Sequence, residues 1–361
     1  MSTTPSEAPP APPNSEGATF LRRTRMAAYI LLLLVLSIHL LEKFRDVLQP
    51  FFIAMFLTFM MHPIHRWLVR KGIPSLLAYI VIVALVMLGV LAVGLLIYTN
   101  LSQLADRDKL LKYEDRLDAM IRGGAERLPF KTPELQKHFL REIHVSSEDI
   151  TAATQAIARR FGDFTTWAVT TFLFILFVIA EKVSFPRRLA LAFGAHQGMR
   201  ILGVVETINL AIGQYVAVKT LVSALAGLLS YAVLAVFEVE FAATWGILIF
   251  LLNYIPYLGS LVAVALPIVL SFLQFDEVWK GAVIAALLVG VQQGIGAYLE
   301  PRIAGQRLDV SPLLILLALA FWGAIWGIVG MILAVPLLVI VRIILDNIPE
   351  TRPIATLMSN R

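Results

Sequence analysis

The feature that most constrains this chain is a series of long stretches that are almost free of charged residues. Eight of them occur; the first is short, and the fifth contains one lysine. They span residues 26–41, 47–65, 75–98, 164–180, 207–237, 241–275, 281–299 and 310–341. About 20 apolar residues cross a bilayer as a helix, and lipid leaves no hydrogen-bond partner for an open backbone. We therefore predict an all-α polytopic membrane protein with about eight membrane segments.

Charged residues are concentrated between these stretches. Residues 99–163 hold 22 of the 55 acidic and basic residues, so we predict a small helical extracytoplasmic insert there. Residues 1–25, rich in Pro, Ser and Ala, are predicted to be a disordered cytoplasmic tail. The other predicted segments are three membrane helices (26–98), a fourth with a cytoplasmic amphipathic segment (164–206), a helix plus hairpin (207–275), a second helix plus hairpin (276–345) and a cytoplasmic C-terminal tail (346–361).

Basic residues of the short loops predict the orientation. Arg22, Arg23 and Arg25 place the N-terminus in the cytoplasm. Arg342, Arg352 and Arg361 place the C-terminus there as well. The insert is then outside. The chain is predicted to be a multi-pass membrane protein with both termini in the cytoplasm.

The two longest stretches, 241–275 and 310–341, are too long for one crossing. As straight helices they would extend roughly 50 Å against a hydrocarbon core of about 30 Å. If each turns back on itself, every basic loop falls in the cytoplasm, and the two halves have opposite orientations. This arrangement predicts an inverted repeat with two broken, re-entrant hairpins, which is typical of transporters. A kinked helix, or an ordinary loop between two short spans, stays open.

Aligning the halves suggests which residues line a solute path. The alignment pairs Asn253 with Trp322 and Tyr257 with Trp326. Pro256 leaves the Leu252 carbonyl without its helical donor, and Gly259 would permit a positive φ in the turn. The candidate path residues are Asn253, Tyr254, Pro256, Tyr257, Gly259, Gln292, Gln293, Trp322, Trp326 and Gly327. For Gln292 and Gln293 the alternative is hydrogen bonding between helices.

Lys219 lies near the middle of an apolar stretch, where a lysine costs about 3 kcal/mol and needs an interior, a partner or water. Gln214 and Glu300 join it as candidate coupling residues; a displaced helix with a snorkelling lysine is the alternative. His62 and His65 have no acidic neighbour, so we predict no metal site. Without cysteine or the motifs of ATPases, zincins and serine hydrolases, we expect neither an enzyme nor a cofactor.

Three blocks of sequence resemble the autoinducer-2 exporter family, also called PerM-like permeases. They are "LLNYIPYLGSLVAVALP" (251–267), "LEPRIAGQRLDVSP" (299–312) and "GAIWGIVGMILAVPL" (323–337). The positions that match the family pattern are Pro256, Gly259, Glu300, Pro301, Gly305, Pro312, Gly327, Gly330 and Pro336. "QYVAVKT" departs from it, because members usually carry a basic-Gly-Gln element after the Tyr, and Asn253 stands where many members have Asp.

The resemblance implies a homo-oligomeric transporter of the bacterial inner membrane, with a pentamer as one form, that exports autoinducer-2 or acts as a sodium/proton antiporter. Our leading hypothesis is a secondary transporter that moves a small polar organic solute by alternating access. The alternatives are a cation/proton antiporter and a non-transporting scaffold or sensor whose insert binds an outside partner. The expected partners are the solute or cation, the bilayer and further copies of the chain, without nucleic acid.

Overall fold

The computed structural model describes residues 15–104, 116, 147–304 and 310–359. The elements in these ranges are helices. They are α1 (Ser15–Lys43), α2 (Arg45–Arg70), α3 (Ser75–Leu104), α4 (Ser147–Val236), α5 (Ala242–Leu252), α6 (Leu258–Gln274), α7 (Val278–Gln293), a π-helical segment (Gly294–Leu299), α8 (Glu300–Ala304), α9 (Pro312–Asn347), a 3-10 turn (Pro349–Thr351) and α10 (Arg352–Leu357).

Helix length and hydropathy confirm the predicted class. Within the described residues, five helical stretches are long and apolar enough to cross a membrane. A sixth is counted if the two arms of α2, Arg45–Met61 and Ile64–Arg70, which are bent by 45°, form one span. No strand occurs in the same ranges. The chain is therefore an all-α polytopic membrane protein, while the number of eight spans stays a prediction.

The chain divides into two compact units, Met1–Gln49 and Pro50–Arg361. In the first unit α1 begins at Ser15 and so extends into the segment 1–25, for which the sequence predicts a disordered tail. Its apolar side chains from Tyr29 to Leu36 are exposed, as expected for a helix that faces lipid. All further description concerns the second unit.

α4 joins segments that the sequence analysis separates. It runs from Ser147 to Val236 with one residue in a non-helical conformation, Gly194 (φ 76°, ψ 164°). Glycine adopts this positive φ without a steric penalty, so the helix breaks there. From residue 195 to 236 the helix continues without a break, and it therefore links the predicted cytoplasmic segment directly to the next membrane helix.

α5 and α6 form a hairpin. With 11 residues, α5 extends only about 16 Å, roughly half of a hydrocarbon core. Gln274, at the end of α6, lies beside the residues that precede α5. The Glu240 N–H donates to Gln274 Oε1 at 2.8 Å, and Gln274 Nε2 donates to the Glu238 carbonyl at 2.8 Å. Since the start and the end of the pair meet, the chain turns back on itself between them. We call this pair hairpin 1.

α9 also turns back, at Gly327 (φ 63°, ψ −142°). Leu319 and Ala334, on opposite sides of this break, belong to the same buried apolar cluster. Met331 likewise lies against Gly323, with its Cγ 3.1 Å from where a Cβ on that glycine would be. The two arms of α9 therefore pack against each other, and we call the pair hairpin 2.

The two hairpins approach from opposite ends of the unbroken part of α4. Arg200, near its start, donates to the Asn347 carbonyl at the end of hairpin 2 (3.3 Å). Hairpin 1 instead begins a few residues beyond Val236, at the other end. Ile255, in the turn of hairpin 1, packs with Leu319 and Ala334 of hairpin 2. The turn of one hairpin thus meets the arms of the other.

Most of the predicted insert lies outside the described residues. Arg116 is described, and it holds the end of hairpin 1. Its Nη2 donates to the carbonyls of Phe275 and Asp276 at 2.8 and 2.5 Å, and its Nη1 pairs with Asp276 Oδ1 at 2.9 Å. A cation at a helix C-terminus is favourable, because the terminal carbonyls carry partial negative charge.

Candidate functional site

Three neighbouring polar residues interrupt the apolar surface of α4. Lys219 and Ser223 are buried, with 4% and 0% of their surface exposed, and Thr220 is half-buried between them. Polar and charged side chains inside a membrane helix are costly and mark functional sites by default. These residues form the first side of the candidate site.

The partner of Lys219 is Glu300. The Lys219 ammonium Nζ lies 2.7 Å from Glu300 Oε1, and the glutamate side chain is about one third exposed, at 32%. Glu300 begins α8 directly after the π-helical segment Gly294–Leu299. A π-helix has a wider turn than an α-helix and often occurs at functional sites. Here it sets the direction from which Glu300 reaches α4.

Gln214, the third candidate coupling residue, is exposed. Gln214 and Lys219 are five positions apart, which corresponds to a rotation of about 140° around an α-helix. The two side chains therefore leave α4 in different directions, and a coupling role for Gln214 stays a prediction.

The turn of hairpin 1 supplies the second side of the site. Asn253 Nδ2 donates to Ser223 Oγ at 3.0 Å, and both residues are buried. The hydroxyls of Tyr254 and Thr220 lie 2.7 Å apart. Hydrogen bonds from two successive turn residues therefore tie hairpin 1 to α4. We call Lys219, Thr220, Ser223, Asn253, Tyr254 and Glu300 together the polar cluster.

The backbone of this turn differs from expectation at two positions. The Leu252 carbonyl, predicted to lack a donor because of Pro256, accepts from the Ile255 N–H at 2.9 Å. The positive φ lies at Tyr257 (62°) and not at Gly259. Gly259 is needed for another reason, because a Cβ at this position would lie 1.8 Å from the Leu252 carbonyl oxygen. Tyr257 itself is exposed.

The turn of hairpin 2 is aromatic. The rings of Trp322 and Trp326 lie 4.8 Å apart between centroids, and Trp326 packs on Phe52 of α2 at 5.5 Å. Trp326 is buried, and Trp322 is half-buried. The positive φ falls on Gly327, one residue after the position that the alignment pairs with Tyr257. The two turns therefore lie at corresponding positions of the two halves, but the turn of hairpin 1 carries hydrogen-bonding side chains and the turn of hairpin 2 carries tryptophans.

The two glutamines of α7 stand apart from the polar cluster. Gln293 is exposed, and Gln292 is half-buried with an Nε2 that has no hydrogen-bond partner among the described residues. Neither makes a hydrogen bond to the polar cluster in the described ranges. Their place in a solute path stays a prediction.

Sequence reasoning missed Thr220, Ser223 and the pairing of Lys219 with Glu300. Lys219 and Ser223 are four residues apart, a spacing that puts two side chains on one helical face. This spacing could have identified Ser223. The ion pair could not be found in this way, because its two residues are 81 positions apart along the chain.

The arrangement balances charge while keeping hydrogen-bonding groups inside an apolar protein. The ammonium of Lys219 and the carboxylate of Glu300 cancel, so the polar cluster carries no net charge when both groups are ionised. Its remaining members are hydroxyls and an amide, which can both donate and accept. Such a set can bind and release a polar molecule through small changes of side-chain position.

Comparisons with known proteins agree with this architecture. The model of a family described as "AI-2E family transporter" matches residues 26–350. A Borreliella burgdorferi protein named "Putative transport protein" is 30% identical over 90% of this chain and 88% of its own length. The AI-2 transport protein TqsA of Escherichia coli K12 is 26% identical over 87% of this chain and 90% of its own length.

Proposed function

The chain belongs to the AI-2E family of membrane transporters, and from this premise we propose that it moves a small polar organic solute across the bacterial inner membrane by alternating access. The protein then acts as a secondary transporter and not as an enzyme. Both termini face the cytoplasm, and the transporter is a homo-oligomer. Autoinducer-2 is the first solute to test, because a relative is named for its transport.

One observation carries the mechanism. The turn of hairpin 1 is bonded to buried polar groups of α4, while the arms of hairpin 2 come from the opposite end and pack on the same turn. Oppositely directed broken segments that meet at a polar site are typical of secondary transporters. Movement of either hairpin against α4 would open the polar cluster toward one face at a time.

A cation/proton antiporter is the second candidate. It is favoured by the Lys219 and Glu300 pair, because charged side chains inside a membrane region mark ion and proton pathways. It is disfavoured by the neutral amide of Asn253, since an additional carboxylate in the turn would bind a cation more strongly. A sodium-driven pH change in vesicles, absent in protein-free vesicles, would favour this candidate.

Single cysteines test the alternating-access proposal. The natural chain has no cysteine, so each introduced thiol reports one position. Tyr257→Cys, at an exposed turn residue, and Trp326→Cys, at a buried one, would be labelled with a membrane-impermeant maleimide from each face of oriented vesicles. We expect labelling from both faces, with a balance that shifts when autoinducer-2 or an ion gradient is applied.

Leu357→Cys is the matched control, because this α10 side chain is highly exposed and far along the chain from both turns. Its labelling should come from one face and be indifferent to solute. If Tyr257→Cys and Trp326→Cys behave like this control, the hairpins are static. The scaffold hypothesis would then replace transport.

A further inference from the structure

Tyr215 has a buried hydroxyl that no described residue binds. The residue lies on α4 one helical turn before Lys219, and only 8% of its surface is exposed. Its hydroxyl oxygen has no hydrogen-bond partner among the described residues. A buried polar group of this kind costs free energy unless something else binds it.

Tyr215 shares a helical face with the ion pair of the polar cluster. Residues four positions apart are neighbours on a helix, so Tyr215 lies on the same face of α4 as Lys219, whose Nζ is 2.7 Å from Glu300 Oε1. Among the described residues the second carboxylate oxygen, Glu300 Oε2, makes no hydrogen bond. An unused donor thus lies one helical turn from an ion pair that has an unused acceptor.

We propose that Tyr215 is a specificity-determining residue whose hydroxyl, together with Glu300 Oε2, binds a hydroxyl group of an uncharged solute. A solute hydroxyl accepts one hydrogen bond and donates another, so it satisfies both groups at once. The Tyr215 O–H donates to the solute oxygen, and the solute O–H donates to the carboxylate. The inference rests on the proposed function, since it assigns a residue to the same path.

The charges of the polar cluster argue against an ion at this place. A cation would meet the Lys219 ammonium, which already neutralises the carboxylate at 2.7 Å. An anion would meet the second oxygen of Glu300. Only an uncharged group leaves the ion pair intact while filling the hydrogen-bonding capacity of the tyrosine.

The test uses Tyr215→Phe, which removes one oxygen and keeps the ring. Tyr231→Phe is the matched control, because Tyr231 lies on the same helix but is exposed. Uptake of autoinducer-2 into inverted vesicles would be measured over a range of concentrations. We expect Tyr215→Phe to raise KM about three- to tenfold, the loss that one neutral hydrogen bond produces, with an unchanged maximal rate. Tyr231→Phe should match the natural chain.

Binding in detergent separates this inference from the proposed function. The shift in melting temperature with autoinducer-2, and with erythritol as a second uncharged probe, would be recorded for all three proteins. Weaker binding of the probes by Tyr215→Phe than by the natural chain supports the inference. If the natural chain at the same time transports no autoinducer-2, the transport proposal is contradicted while the inference stands. Equal KM and equal binding in Tyr215→Phe and the natural chain would mean that the hydroxyl holds a trapped water only. That result overturns the inference, as does a natural chain that binds neither probe.

Discussion

Lys219 is more deeply buried than its partner Glu300, so replacing either residue should change the stability of the protein by a different amount. Glu300→Gln leaves a buried ammonium unpaired and should destabilise the protein by about 3 kcal/mol, the lower end for a broken buried pair. Lys219→Met leaves a carboxylate that is one third exposed, so water compensates in part and we expect a loss of about 1–2 kcal/mol. Melting temperatures of the purified variants would measure both.

The double variant Lys219→Met with Glu300→Gln serves as the control for this pair. It removes both charges and should recover at least half of the loss caused by Glu300→Gln, because no unpaired charge remains. Additive losses in the double variant would show that the two side chains do not depend on each other.

Gly259 is the second residue whose replacement should lower the stability of the protein by a definite amount. A Cβ there would lie 1.8 Å from the Leu252 carbonyl oxygen, a backbone atom that cannot move aside alone. Gly259→Ala should therefore destabilise the protein by about 3 kcal/mol or more, at the upper end for overpacking. The melting temperature and the yield of folded protein would both fall.

Gly290→Ala on α7 provides the comparison, since nothing lies within 4 Å of a Cβ at that position. It should be neutral or slightly stabilising, because alanine is the better helix former. Equal melting temperatures for the two variants would contradict the close approach in hairpin 1.

For single residues, the sequence predicted which side chains are energetically unfavourable in a membrane better than it predicted which side chains touch each other. Lys219 was identified because a lysine in an apolar stretch is expensive wherever it points. Its contact with Glu300 was not found, because it depends on how two distant helices pack. Gly259 was selected as a turn residue, whereas the structure needs it for its missing Cβ.

At the scale of elements, the break of α9 depends on Gly327. Its φ of 63° and ψ of −142° are nearly restricted to glycine. Gly327→Ala should cost about 1–3 kcal/mol, measured as a lower melting temperature of the purified protein. Solute transport should decline with it, because the turn of hairpin 2 would shift.

The corresponding control is Gly213→Ala in the unbroken part of α4, where the backbone is helical and the space around the glycine is empty. This change should leave stability within about 0.5 kcal/mol of the natural chain or raise it. An unchanged melting temperature for Gly327→Ala would mean that the break of α9 does not require the glycine-specific φ and ψ at this position.

Element length was the most informative part of the sequence. Stretches of 35 and 32 residues without a charged side chain exceed one bilayer crossing, and this excess predicts the turns of both hairpins. The continuity of α4 from residue 195 to 236 was not predicted, because hydropathy separates the polar residues around Arg200 from the apolar stretch that follows. A helix can extend beyond the apolar layer into water, so polarity alone does not end it.

For the whole molecule, the opposite directions of the hairpins predict where labels react. Val278→Cys, just after hairpin 1, and Leu357→Cys, beyond hairpin 2, are both exposed. Because the bases of the hairpins lie at opposite ends of the unbroken part of α4, the two thiols should react from opposite faces of the membrane. The positive-inside bias assigns Leu357→Cys to the cytoplasmic face.

Labelling right-side-out and inverted vesicles with an impermeant maleimide would show from which face each thiol reacts. Lysed vesicles, in which both thiols react, give the signal for complete labelling. Reaction of both positions from the same face would contradict the inverted arrangement. Reaction from opposite faces with the cytoplasmic assignment exchanged would contradict only the charge rule.

The bonds of Gln274 give hairpin 1 the mechanics of a lever. Its base is fixed by two hydrogen bonds, to Glu238 and Glu240, and its longer arm, α6, has 17 residues and extends about 25 Å. A tilt of about 10° around that fulcrum displaces the far end by about 4 Å. This displacement exceeds the 2.7 Å between the Tyr254 and Thr220 hydroxyls, so a small tilt of hairpin 1 about its base is enough to break its contact with α4.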